Sequence, residues 1–173
     1  MENVLFVNEY TRTKNTLKEA YKYWYFRRPL VIIGYAIVVF DALLYLFLWA
    51  NEFYVDPTMV ILLQVLAALL PAMYFVQVNA AVSKDNQITH GRPIELCLSV
   101  TSDKIYIGKA EGDYYLDFSQ ISYAYDTKGY VVLVTKKTRM LLIFAKDGFT
   151  TGDLDGFRAF LAEKSIKIKG QKK

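Results

Sequence analysis

The fold is predicted from a long apolar stretch, Leu30-Val-Ile-Ile-Gly-Tyr-Ala-Ile-Val-Val-Phe-Asp-Ala-Leu-Leu-Tyr-Leu-Phe-Leu-Trp49. Its 20 residues contain a single charged side chain, Asp41. Residues 59–78 form a second stretch of 20, and it contains no charged side chain. A helix rises about 1.5 Å per residue, so 20 residues cross the roughly 30 Å hydrocarbon core of a bilayer. A chain of 173 residues is too short to cover two such helices with protein. We therefore predict a transmembrane hairpin over residues 29–83, with spans at 30–49 and 59–78.

The charges outside the spans predict the orientation of the hairpin. Residues 50–57, between the spans, contain two acidic and no basic side chains. Residues 1–28 contain six basic and three acidic side chains, and residues 79–173 contain 15 basic and 11 acidic ones. Because basic flanks stay on the cytoplasmic side of the cell membrane, we expect both termini to be cytoplasmic. Attraction to an anionic leaflet also accounts for the net charge of +4, so no nucleic-acid partner is expected.

Asp41 lies near the middle of the first span, where an ionised carboxylate costs at least ~2.5 kcal/mol. In an antiparallel hairpin, Gln64 lies within about one helical turn of its level. A hydrogen bond between Asp41 and Gln64 would hold together the hairpin, or two copies of it. The alternative is a proton or ion path. Ala68 and Ala72 have the spacing of small residues that allows close helix packing.

Residues 1–28 are predicted to form a cytoplasmic leader. Val4–Tyr10 is short and β-prone, and it is a candidate strand that needs a partner elsewhere. Thr16–Glu19 has the capping-box pattern and predicts the start of an amphipathic helix. Arg27 and Arg28 follow a run of aromatic residues, so we expect this helix to lie at the level of the lipid headgroups, with both arginines at the membrane surface. The aromatic residues are Tyr21, Tyr23, Trp24, Tyr25 and Phe26.

After a polar connector at residues 83–93, an alternating pattern predicts a small antiparallel β domain over residues 94–173. A period of 3.6 residues then predicts a C-terminal helix at 152–164 with Thr151 as its N-cap. This helix must bury its apolar stripe, and the open face of the sheet is the place for it. The predicted strands are Ile94–Thr101, Lys104–Ala110, Asp113–Phe118, Ile121–Asp126, Tyr130–Thr135 and Arg139–Ala145.

Two spans after a short charged leader, followed by a β-rich tail, resemble the bacterial YcxB-like membrane proteins. Two segments of the tail are similar to that family: Tyr115-Leu-Asp-Phe-Ser-Gln-Ile121, and residues 149–164, which begin Phe-Thr-Thr-Gly-Asp. The resemblance implies a pleckstrin-homology-like domain, in which a bent antiparallel sheet is closed by a C-terminal helix, and it implies no assigned biochemical activity. Six strands are one short of the usual seven, and Val4–Tyr10 is the candidate for the seventh.

The sequence contains none of the common catalytic motifs: no Gly-rich phosphate loop, Cys-x-x-Cys, His-Glu-x-x-His or Gly-x-Ser-x-Gly. His90 is the one histidine, and a single imidazole in a polar connector is more often solvated than catalytic. Cys97 is the one cysteine, and we expect an inert thiol on a strand. We therefore predict no catalytic residue, no metal site and no cofactor.

Lys136, Lys137 and Arg139 gather at one predicted hairpin tip, where they either contact an anionic leaflet or form a solvated turn. We predict a non-enzymatic integral membrane protein whose cytoplasmic module serves protein interaction or self-assembly. Its expected partners are the lipid bilayer, a cytoplasmic protein and a second copy of the chain. The alternative function is a transport or channel component, with Asp41 and Gln64 in an oligomeric intramembrane path.

Overall fold

The computed structural model describes residues 3–51, 53, 56–90, 92–108 and 114–170. The chain divides into two compact units. The helical unit is Leu17–Gln87, and the strand-rich unit combines Met1–Thr16 with Ile88–Lys173. The strand-rich unit is therefore built from both sides of the helical unit in sequence.

Three helices carry the helical unit: α1 (Lys14–Phe26), α2 (Pro29–Ala50) and α3 (Pro57–Thr89). A proline begins each long helix, at a position where its missing N–H has no intrahelical acceptor. α2 and the segment Val60–Thr89 of α3 are each long and apolar enough to span a membrane. Both predicted spans are therefore confirmed as helices of the required length and composition.

α3 is longer than the sequence pattern predicts. Residues 83–93 are expected to form a polar connector, but α3 continues to Thr89. The prediction is wrong here because no Gly or Pro occurs between Ala72 and His90, and polar side chains alone do not end a helix. With 33 residues, α3 is about 50 Å long, roughly 20 Å more than the hydrocarbon core requires.

α1 also begins earlier than predicted. Thr13 precedes the helix, and its Oγ1 accepts a hydrogen bond from the Thr16 N–H at 3.3 Å. The Thr16 Oγ1 accepts one in return from the Thr13 N–H, also at 3.3 Å. Thr16 therefore occupies the third position of a reciprocal cap. The predicted box at Thr16–Glu19 is wrong, because Thr13 offers the same chemistry three residues earlier.

Over its described residues, the strand-rich unit contains nine strands, a short 3-10 helix at Phe118–Gln120 and one α-helix. The strands and the α-helix are β1 (Phe6–Arg12), β2 (Ile94–Val100), β3 (Lys104–Ile107), β4 (Tyr115–Asp117), β5 (Ile121–Asp126), β6 (Tyr130–Thr135), β7 (Leu141–Ala145), β8 (Phe149–Thr151), α4 (Leu154–Glu163) and β9 (Ile168–Lys169). One sheet has the order β4-β3-β2-β1-β8, and the other has the order β7-β6-β5-β9. β9 runs parallel to β5, whereas the other neighbouring strands pair antiparallel.

The six predicted strands are confirmed as β2 to β7: β5 and β6 have the predicted bounds, and the other four are shorter. The predicted end at Ala110 and the predicted start at Asp113 lie outside the described residues. The sequence pattern does not predict β8 and β9, because three and two residues are too few to show an alternation.

The candidate strand Val4–Tyr10 is found as β1, two residues further along the chain. All seven residues of β1 pair with β2, from Phe6 opposite Val100 to Arg12 opposite Ile94. The other edge of β1 pairs with β8. A segment near the start of the chain therefore lies inside the sheet formed by its C-terminal part.

α4 covers the core between the two sheets. Phe157 and Leu161 are fully buried, and the Phe157 ring lies 4.7 Å from that of Phe144 on β7. The N-cap of α4 is Asp153, whose Oδ1 accepts a hydrogen bond from the Gly156 N–H at 2.6 Å. The predicted cap, Thr151, is wrong because that residue ends β8.

Candidate functional site

The most unusual surface of the helical unit is the apolar exterior of α2 and α3. Leu30 is 82% exposed and Trp49 is 70% exposed. In the most apolar 18-residue segment of each helix, only 6% of the residues are buried. A core helix of a soluble protein would have these side chains covered. The exposed surface therefore suits contact with hydrocarbon.

Two tyrosines connect α1 to α3. Tyr25 and Tyr74 are both buried, in a cluster with Val31 and Val78. The Tyr25 hydroxyl donates a hydrogen bond to the carbonyl oxygen of Leu70 at 2.6 Å. The Tyr74 hydroxyl donates one to the carbonyl oxygen of Lys18 at 2.9 Å. The sequence pattern places Tyr25 among headgroups, but its ring is inside the protein.

The environment of Tyr25 favours its neutral form. Burial raises the pKa of the Tyr25 hydroxyl, repulsion from Tyr35 raises it further, and Arg28 opposes both effects. At neutral pH the hydroxyl therefore remains a hydrogen-bond donor to Leu70.

Arg27 and Arg28 lie at the junction of α1 and α2, each against an aromatic ring. The Arg27 Cζ is 4.4 Å from the centroid of the Tyr23 ring, and the Arg28 Cζ is 3.4 Å from that of Trp24. Cation–π contacts of this kind contribute about 0.5–2 kcal/mol each. Rings paired with cations are typical of residues at headgroup level, and the membrane-surface role of both arginines stays a prediction.

Asp41 and Gln64 do not meet within the described part of the hairpin. The Asp41 side chain is half-buried on α2, Gln64 is exposed on α3, and no hydrogen bond joins them. α2 and α3 instead approach closely at Gly34, where an added Cβ would lie 3.1 Å from Leu70 Cδ1. The hydrogen bond between two copies and the ion path both stay predictions.

Ala68 and Ala72 are exposed on α3. The small residue in close contact between the two long helices is Gly34, which the predicted packing did not include. The role of this exposed pair in helix packing stays a prediction.

Three basic residues of the strand-rich unit lie on one turn, as their spacing predicts. Lys136, Lys137 and Arg139 belong to the exposed turn between β6 and β7. A hydroxyl–hydroxyl contact of 2.9 Å between Thr135 and Thr138 closes this turn. Their contact with a membrane surface stays a prediction.

A charged cluster that the sequence pattern does not predict lies where α4 meets β5. The Asp126 side chain is only 7% exposed and forms ion pairs with Lys146 and Arg158. Arg158 also contacts Asp155, at 3.1 Å. Burial lowers the pKa of Arg158, but its hydrogen bonds and attraction to Asp126 and Asp155 outweigh burial and raise it. No sequence motif signals this cluster, because folding alone brings its members together.

His90 and Cys97 are not members of this cluster: His90 follows α3, and Cys97 belongs to β2. His90 is exposed at the end of α3, with a left-handed φ of 51°. Cys97 is half-buried on β2, directly opposite Glu9 of β1. Over the described residues, no group of three or more His, Cys, Asp or Glu side chains is placed to hold a metal ion.

No family model matches this chain, and no curated protein matches it either. The resemblance to the YcxB-like proteins therefore stays a prediction from the residues quoted above.

Proposed function

We propose that this protein is a non-enzymatic integral membrane protein in which a transmembrane hairpin anchors a pleckstrin-homology-like cytoplasmic module for protein interaction or self-assembly. The observation that carries the proposal is that α2 and α3 expose an apolar surface, while the other unit of the chain has its own buried core. The hairpin supplies attachment, and the module supplies a surface for binding.

Free energy supports the anchoring. Among the described residues, eleven large apolar side chains are exposed on α2 and nine on α3. Removing one such side chain from water contributes about 1.5–3 kcal/mol, so the total is on the order of tens of kcal/mol. The net stability of a whole domain is about 5–15 kcal/mol. The free energy gained by transferring these side chains from water to lipid is therefore larger than the net stability of a typical folded domain.

Strand pairing supports an even number of crossings. β1 precedes α2, β2 follows α3, and the two strands pair over seven residues. Paired strands must lie on the same side of a bilayer. The basic residues before the first span, Arg27 and Arg28, favour the cytoplasmic side.

The order of strands supports the pleckstrin-homology-like module. β1 to β4 lie side by side in one sheet, β5 to β7 lie side by side in the other, and α4 follows them. The YcxB-like resemblance implies an antiparallel sheet closed by a C-terminal helix, and β1 is the candidate for the seventh strand beside β2 to β7; β8 and β9 each add one short strand to a sheet.

Thiol labelling in intact cells tests the anchoring and the orientation. In a Cys97→Ser background, Asn51→Cys places a thiol between the two long helices and Lys137→Cys places one on the strand-rich unit. A membrane-impermeant maleimide should label the first thiol in intact cells and the second only after permeabilisation. The reverse pattern would overturn the orientation, and recovery of the chain from cytosol without detergent would overturn the anchoring.

Crosslinking and flux measurements test the role of the module. A module for interaction or assembly predicts a crosslinked partner or dimer that disappears when the exposed surface of the strand-rich unit is mutated. It also predicts no pH-dependent ion flux into vesicles that contain the purified protein. Flux abolished by Asp41→Asn would favour the ion path instead.

A further inference from the structure

β1 is separated from its partner strand by the whole helical hairpin. Residues 13–93 lie between the end of β1 and the start of β2. β1 nevertheless occupies an inner position of its sheet, between β2 and β8. The fold of the strand-rich unit therefore depends on two segments that reach each other only through α2 and α3.

The contacts of β1 are central to the strand-rich unit. Asn8 is fully buried, and its side-chain amide donates to the Ala145 carbonyl at 2.7 Å and accepts from the Ala145 N–H at 2.9 Å. Phe6 packs on α4, with its ring 5.5 Å from Phe157 and 5.6 Å from Phe160. β1 thus contacts both sheets and the helix that closes the core.

Loss of β1 would leave polar groups without partners. The Ala145 N–H would lose its acceptor on Asn8, the Ala145 carbonyl would keep only the bond from the Gly148 N–H, and one edge of β2 would lose its backbone hydrogen bonds. A buried donor left without an acceptor costs about 1–3 kcal/mol, and an open edge pairs with other chains. A module without β1 is therefore expected to be incomplete.

From this connectivity we infer that the hairpin and the module assemble as one dependent system: a chain in which α2 has crossed the membrane and α3 has not cannot complete its module. In such a half-inserted chain, β1 and β2 lie on opposite sides of the bilayer, so they cannot pair. Completion of the module thus distinguishes a fully inserted hairpin from a half-inserted one. This inference rests on the proposed membrane anchoring.

The chain offers a direct reporter of β1–β2 pairing. Glu9 lies opposite Cys97, and both side chains are on the outer face of the sheet. The Glu9 N–H donates to the Gly148 carbonyl, and the Cys97 carbonyl accepts from the Gly108 N–H. These two backbone groups therefore point away from each other, toward the outer neighbours of β1 and β2. The pair is therefore of the non-hydrogen-bonded kind, with Cα atoms about 4.5 Å apart, within the range of a disulfide. Glu9→Cys should form a disulfide with Cys97 when the strands pair.

The experiment compares full-length chains made in a cell-free system with lipid vesicles and then oxidised. The Glu9→Cys chain should form an intramolecular disulfide, read as a thiol-labelling shift on gels. Adding Leu66→Arg and Leu69→Arg, both on exposed positions of α3, should block insertion of the second span, because each arginine costs about 2.5–3.5 kcal/mol at the bilayer centre. The fraction of chains with the intramolecular disulfide should then fall about tenfold or more. Unchanged disulfide formation in membrane-retained chains would overturn the inference, as would a disulfide-linked dimer, since β1 would then pair with a second copy.

Two controls define the result. Leu66→Ala with Leu69→Ala keeps the span apolar and should keep the disulfide. Thr11→Cys lies on the same face of β1, but its diagonal distance from Cys97 is about 7–8 Å, so it should form little disulfide. Alkaline extraction separates the two hypotheses: release of the unmodified chain from vesicles would refute the anchoring, whereas retention with an unchanged disulfide would refute only the dependence of the module on insertion.

Discussion

The two units of this molecule place the same residue types in opposite surroundings. Leu69 on α3 is 52% exposed, whereas Leu133 on β6 is fully buried. The strand-rich unit buries its apolar side chains between two sheets and α4, and the helical unit keeps most of its own on the outside. The helical unit therefore exposes an apolar surface that is suited to lipid, whereas the strand-rich unit has an apolar interior of its own.

The two units also differ in how sequence distance relates to contact. α2 and α3 are contiguous segments whose hydrogen bonds are local. The strand-rich unit depends on β1, whose partner follows residue 93. Local patterns therefore describe the first unit more completely than the second.

The largest effect is expected from joining β1 directly to β2, because this removes the helical unit and keeps the strand-rich unit. A chain of residues 3–12, Asn-Gly and residues 94–170 lacks the helical unit, and it should be soluble and folded without detergent. Arg12 and Ile94 face each other at the end of the ladder, where a two-residue turn fits. Gel filtration and cooperative thermal unfolding check this. The matched control, residues 94–170 alone, should aggregate or unfold without cooperativity; equal behaviour of the two chains would show that β1 is dispensable.

The same leucine substitution in the two units should have unequal effects. Leu133→Ala leaves a cavity in the core and should lower the free energy of unfolding of the strand-rich unit by about 2–5 kcal/mol. Leu69→Ala should change the free energy of unfolding of the helical unit by less than about 0.5 kcal/mol, because the Leu69 side chain is exposed. Urea-dependent proteolysis of the full chain in detergent micelles measures both. Similar losses for the two variants would contradict the proposed difference in surroundings.

Asn8 tests how strongly the start of the chain holds the strand-rich unit. Asn8→Ala removes both hydrogen bonds to Ala145 and leaves the buried Ala145 N–H without an acceptor, whereas the Ala145 carbonyl still accepts from the Gly148 N–H at 3.1 Å, so stability should fall by about 1–3 kcal/mol. Asn15→Ala, on an exposed position of α1, is the matched control and should be nearly neutral. A neutral Asn8→Ala would mean that the two ends of the chain are held by other contacts.

The smallest expected effect concerns Tyr25 in the helical unit. Its pKa is raised by burial, so the folded state binds this proton more tightly than the unfolded state does. The resulting stability is present below about pH 10, the unfolded value, and is lost as the pH rises through the folded value. When the ionisation of the tyrosine side chains is followed by absorbance, Tyr25→Phe should remove one component that titrates at high pH. Tyr114→Phe, which removes an exposed hydroxyl, should leave that component in place.

Local patterns predicted much of the fold and less of the site. The spans, the six strands β2 to β7 and α4 follow from hydrophobic periodicity. The caps at Thr13 and Asp153 were not predicted, because several nearby residues offer the same capping chemistry. The end of α3 was not predicted, because polar side chains alone do not end a helix. The tyrosine contacts of α1 with α3 and the ion pairs of Asp126 join residues far apart in sequence, and no local pattern contains that information.

Two helices long and apolar enough to cross a bilayer follow directly from the amino-acid sequence, because length and transfer free energy are sums over neighbouring residues. The folded chain was needed to show that Phe6–Arg12 pairs with Ile94–Val100, since a β-prone segment carries no record of its partner. It was also needed to show that Gln64 is exposed instead of bonded to Asp41, because the rotation of a helix about its axis is set by packing and not by spacing along the chain.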